Sequence, residues 1–250
     1  MAGARGSGHL PKQGGPAAGE PPPELPRQRH GRAPGGRGRY PDYDVLAEVG
    51  HWDGKTREVV LARVESTPPV RFFDEAEART LGAFCDDVLA QEDEPRVPVL
   101  AMVDEKLYEN RLDGYRYAEM PSDPITWREA AKMLDAAARA AGAEDYAAAA
   151  REVRHDLIDR FSEGRLEHPK LDAEKAWKVV MRAVLAAFYS HPWVWNEIGF
   201  GGPAYPRGFA RLGAGQREHW ERSPKFEADP VADVPERGGR FDPGEDDLAG

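Results

Sequence analysis

The chain has a single cysteine, Cys85, in 250 residues. One thiol excludes an intramolecular disulfide and a CxxC metal clip, and within an apolar helical pattern it reads as a buried small hydrophobe. No run approaches the roughly 20 consecutive apolar residues of a membrane-spanning helix. The N-terminus has no apolar signal core and no adjacent arginine pair, its arginines being spaced as in Arg27-Gln28-Arg29. As read, without a visible export signal, a cytoplasmic location is expected. A start site lying elsewhere, or export together with a partner, would make it periplasmic. Excess basic charge is also absent. The formal net charge is −10, which disfavours general binding to nucleic acid because phosphates are repelled at long range.

Metal and nucleophile patterns are missing too. The seven histidines are scattered and form neither H-x3-H nor HExxH. Asp86-Asp87 and Glu92-Asp93-Glu94 lack calcium-loop spacing and read as solvated helix surface. Gly199-Phe-Gly201-Gly-Pro-Ala204 loosely matches G-x-G-x-x-A, but no hydrophobic strand precedes it. Pro203 and Pro206 oppose a long helix after it, so a dinucleotide fold is excluded by context.

What is abundant is glycine and proline, 26 and 22 residues, against 40% hydrophobic positions. Ten of the glycines and seven of the prolines fall in residues 1–40. Such a segment buries too little surface to offset its ordering entropy, so a disordered basic tail is expected there. Its charge is +5, leaving −15 for residues 41–250. A second tail is expected over 211–250. It is acidic and proline-rich from Glu221 on, with nine acidic and four basic residues.

Between them the dominant signal is helical. Val45, Leu46, Val49 and Trp52 fall at short helical spacing, and Thr56–Val64 suits a helix or a strand. Asp74 with Glu77 forms a capping pair ahead of Ala78, Leu81, Phe84, Cys85, Val88 and Leu89, an amphipathic stripe. A second helix follows Pro98. A third is expected with Asp123 as its cap and Gly142 as its stop, and a fourth runs from about Asp145 to Phe161. Asp172 caps a fifth, striped by Trp177, Val180, Met181, Val184 and Phe188. The fold expected over residues 41–210 is an all-α, irregular bundle of five or six helices ending in a Gly/Pro/aromatic loop.

That loop departs from ordinary core. His191–Phe209 holds two tryptophans, a tyrosine, two phenylalanines, four glycines and three prolines in 19 residues. Pro and Gly at this density end any regular helix after about Ile198. Aromatics at this density either plug the end of the bundle as a lid or meet another protein, and one loop can do both. His191, Asn196 and Glu197 lie close in sequence, and a shared helical turn would make His191 and Glu197 an acid–base pair. No serine or cysteine completes a nucleophile by motif. A histidine before proline at the end of a helix also reads as a C-terminal cap.

These blocks resemble the gluconate 2-dehydrogenase subunit 3 family. The resemblance rests on Phe72–Asp86, Asp93–Leu107, Asp113–Ala118 and, most specifically, His191-Pro-Trp-Val-Trp-Asn-Glu-Ile-Gly-Phe-Gly-Gly-Pro-Ala-Tyr-Pro-Arg-Gly208. It implies a non-catalytic accessory subunit without its own cofactor. Its partner would be a large flavoprotein dehydrogenase of the glucose-methanol-choline type, carrying FAD and oxidising a sugar or sugar acid. Some complexes of this kind add a cytochrome c subunit. The absence of a flavin fingerprint and of a CxxCH haem site agrees with a chain that has no redox centre. Many members begin with a twin-arginine signal, which this chain lacks. The partner-binding residues expected on this reading are His191, Trp193, Trp195, Asn196, Glu197, Phe200, Tyr205 and Arg207. Two other readings stay open: a stand-alone enzyme using His191 and Glu197, and a free-standing structural or regulatory helical protein.

Overall fold

The computed structural model describes residues 43–92, 94–114, 116–211 and 218–221. Among them are a 3₁₀ helix (Val45–His51) and seven α-helices and no strand: α1 Gly54–Glu65, α2 Glu75–Val88, α3 Val99–Tyr108, α4 Asp123–Ala140, α5 Arg151–Ser162, α6 Ala173–Tyr189 and α7 Pro192–Ile198. The all-α bundle is therefore as expected, with more helices than the five or six anticipated. The ambiguous Thr56–Val64 segment is helical, and the aromatic stretch opens with a short helix of its own. None of the described helices is long and apolar enough to cross a membrane. The tail expected over residues 1–40 lies outside the described residues.

Helix α2 starts as its sequence dictates. The Asp74 carboxylate accepts from the Glu77 amide at 2.8 Å and Glu77 accepts from the Asp74 amide at 3.2 Å, a reciprocal cap. Two other boundaries differ from expectation. Ser122, not Asp123, is the cap residue of α4, and Asp123 sits in the first turn, 3.5 Å from Arg182 on α6. Helix α5 begins at Arg151 rather than near Asp145. The Asp145 carboxylate instead accepts from the Ala148 amide at 2.8 Å, a local bond that competes with helix formation.

Helix α6 runs through the middle of the bundle, packing on α3, α4, α5 and α7. The main core is shared by helices α2, α3, α4, α5 and α6. In it Phe84, Phe161 and Trp177 meet edge-on or tilted with centroids 5.3–6.1 Å apart, above the buried Leu81, Trp127, Leu134, Val180 and Phe188. Cys85 is buried in this core, and burial pushes its thiol pKa up.

The fully buried Asp104 of α3 fastens the approach to α2. Its carboxylate accepts from the amides of Arg71, Phe72 and Phe73 at 2.7, 2.9 and 2.9 Å. A smaller cluster of Tyr43, Val45, Trp52, Val60 and Trp195 joins the 3₁₀ helix and α1 to α7. This second core fixes where the aromatic loop leaves the bundle.

Candidate docking site

The site is built on the turn between α6 and α7. His191 is the N-cap of α7, its Nδ1 accepting from the Trp193 amide at 3.3 Å. This reverses the C-cap reading: Ser190 closes α6, and Pro192, whose missing N–H costs nothing in a first turn, starts a new helix immediately. The Arg63 guanidinium of α1 donates to the Ser190 carbonyl at 2.7 Å, and burial lowers its pKa.

Every residue from Pro192 to Glu197 is buried. Trp193 and Val194 enter the main core, and Trp195 enters the second one, its Nε1 donating to the Tyr189 carbonyl at 2.6 Å. The Asn196 Oδ1 accepts from the Val45 amide at 2.7 Å, tying α7 to the 3₁₀ helix. Gly199 then takes the left-handed conformation (φ 72°) that ends the helix, and the Phe200 amide donates to the Trp195 carbonyl at 2.9 Å. Gly202 is also left-handed (φ 76°). A Cβ there would lie 2.8 Å from Trp52 and 2.9 Å from Val45, so the backbone passes flush over the second core.

The expected site residues divide into two sets. His191, Trp193, Trp195, Asn196 and Glu197 are interior. His191 is 1% and Glu197 4% exposed, so neither is placed to meet a partner or a substrate. Phe200 and Tyr205 face solvent at 44% and 64%, joined by Ile198 and by Phe209 at 51%. Phe200 rests edge-on against Trp195 with centroids 5.5 Å apart. Arg207 lies between the sets. It pairs with Glu48 at 2.7 Å, and its guanidinium stacks 4.0 Å over the Trp220 ring.

Trp220 was missed by sequence reading. It lies in the segment expected to trail from residue 211, yet it is buried, and its carbonyl accepts from the Tyr43 hydroxyl at 3.3 Å. The body thus reaches at least Glu221. A lone tryptophan among polar residues is the signal that marks it. Asp104 was missed as well, because nothing local distinguishes it from a surface carboxylate.

Grooves also lie away from this loop among the described residues. One of about 500 Å³ runs between α1, α3 and α6, lined by Ala62, Arg63, Met102, Ala183 and Ala187 among others. Another, about 380 Å³, lies between α2 and α5, and its charges are matched. Arg96 pairs with Asp86 at 2.6 Å and Arg154 with Asp87 at 2.9 Å, while the Tyr146 hydroxyl donates to Asp87 at 2.9 Å. Burial pushes the Asp86 carboxyl up against the pull of Arg96, and pushes the Tyr146 hydroxyl up. His191 and Glu197 line neither groove. No group of histidine, cysteine, aspartate and glutamate able to hold a metal ion is found among the described residues.

No curated protein and no solved structure matches the chain. The profile described as gluconate 2-dehydrogenase subunit 3 matches residues 75–202, half of the chain, from the start of α2 through α7 to the glycines packed on the second core. With that match and the all-α bundle behind it, the chain belongs to the gluconate 2-dehydrogenase subunit 3 family.

Proposed function

We propose that this chain is the non-catalytic small subunit that binds and stabilises a large flavin-dependent dehydrogenase of the glucose-methanol-choline type, one that oxidises a sugar or sugar acid. On this reading FAD resides in the partner, and a cytochrome c subunit is a further component of some such assemblies. The family membership supports a subunit role. The observation that carries the docking assignment is the trio Phe200, Tyr205 and Phe209, 44–64% exposed on a loop whose underside is held by buried tryptophans. Exposed aromatics on a rigid base suit an interface, because they bring large contact area with little left to order on binding. The acid–base alternative has little support, since burial withdraws both His191 and Glu197 from solvent.

The test is purification of the tagged chain from native cells. A large protein with a flavin absorbance spectrum should co-elute. Phe200→Ser and Tyr205→Ser should each weaken that association by about 1–2 kcal/mol or more. Tyr205→Ser should change the stability of the free chain by no more than about 0.5 kcal/mol, and Phe200→Ser, which also loses the ring contact with Trp195, by about 1–2 kcal/mol. Trp195→Ala should instead cost about 3–5 kcal/mol of fold stability, because it opens a cavity in the second core. Co-elution that survives the combined Phe200, Tyr205 and Phe209 change removes this surface from the interface. A chain that elutes alone favours a free-standing helical protein. A purified chain that binds FAD or oxidises a sugar by itself ends the accessory reading.

A further inference from the structure

The segment Glu218–Glu221 lies beyond the family match and returns to pack on the aromatic loop. Four independent contacts hold it there. The Glu218 carboxylate, itself buried, accepts from the amides of Ala210 and Arg211, both at 2.6 Å, and pairs with the Arg211 guanidinium at 3.2 Å. The Trp220 ring sits under the Arg207 guanidinium and 6.4 Å from the Phe209 ring. Its carbonyl receives the Tyr43 hydroxyl. Finally, Gly201 lies flush against it: a Cβ there would fall 2.8 Å from Trp220 Cδ1 and 3.2 Å from its carbonyl oxygen.

These contacts fall at both ends of the exposed stretch, at Gly201 before Tyr205 and at Arg207, Phe209 and Ala210 after it. Among the described residues the stretch has no regular helix or strand of its own; within it the Gly208 amide donates to the Ala204 carbonyl at 2.7 Å. Its shape therefore depends on what it is pinned to. We propose that Glu218–Glu221 is a strap, with Trp220 as the positioning residue that fixes the loop in the conformation presenting Phe200, Tyr205 and Phe209 to the flavoprotein. The consequence for docking rests on the function proposed above, whereas the pinning itself does not.

Two substitutions disturb the same contact from opposite sides. Trp220→Ala removes the ring, and Gly201→Ala inserts a methyl group where the ring lies. In the free chain each should raise amide hydrogen exchange across residues 200–211 roughly tenfold, with exchange in α2–α6 unchanged. The double variant should fall short of the product of the two, because the added methyl no longer meets the indole. Affinity for the co-purified flavoprotein should fall about tenfold in each single variant. Unchanged loop exchange in both variants overturns the strap. So does faster loop exchange with full affinity, provided Phe200→Ser lowers affinity in the same assay. If Phe200→Ser and Tyr205→Ser leave affinity intact, the docking surface has been misassigned, and the exchange data alone decide whether the strap exists.

Discussion

Asp104 concentrates a large structural effect in one side chain. Its two oxygens, themselves closed to water, take three consecutive amides from the turn before α2. Buried backbone donors need partners, and charged acceptors make the stronger bonds. Asp104→Ala strands all three amides and should cost about 3 kcal/mol or more, read as a lower urea midpoint with an unchanged m-value. Asp104→Asn keeps the shape but turns a donor toward the amides, and should cost about 1–3 kcal/mol. Nothing in the sequence advertised this residue, since its partners lie more than thirty positions away. His191 was visible, but its role was inverted. Residue type announced a helix cap, and only the chain path around Pro192 shows which helix it caps.

Among the elements, helix interiors were legible and helix ends were less so. The stripe from Leu81 to Leu89 and the stripe from Val180 to Phe188 follow the helical period because one face of each meets the core. The late start of α5 was hidden because alanine-rich Ala147–Ala150 suits a helix, while the Asp145 side chain offers the backbone a rival bond.

The connection between α5 and α6 carries a pH dependence. His168 lies against Glu129 of α4, 3.6 Å away, with Lys132 and Lys170 bound to the same carboxylate. Desolvation lowers the His168 pKa, against the pull of Glu129 and with the repulsion of Lys170 and Lys132. The unfolded chain then binds the proton first, near pH 6.5, and stability falls as pH drops through that point toward the lower folded value. The urea midpoint should decline between about pH 7 and pH 5, and His168→Gln should flatten that decline. Glu129 acts at lower pH. Its pKa is lowered chiefly by the Lys132 hydrogen bond, so its contribution is lost below about pH 4.

At the scale of the whole molecule, the family match ends where a second layer of the fold begins. Tyr43, Val45, Trp52 and Val60, before residue 75, cover Trp195 of α7, while Arg207 and Trp220, after residue 202, are tied to that layer through Glu48 and Tyr43. A chain trimmed to residues 71–211 should keep the α2–α6 core but bare Trp195 and Asn196. It should bind a hydrophobic dye and lose amide protection in α7, while retaining helical circular dichroism. The division of the aromatic loop into buried and exposed residues was not readable from sequence. Composition stated that its rings need cover, and only the position of this second layer decides which of them receive it.

The single thiol of the chain, on Cys85, is shut inside the bundle with its proton held tightly, so electrophiles reach it only when the interior opens. Alkylation kinetics followed by mass spectrometry would therefore count global openings directly, without any introduced label. A bound flavoprotein that stabilises the subunit should slow that clock in proportion to its occupancy.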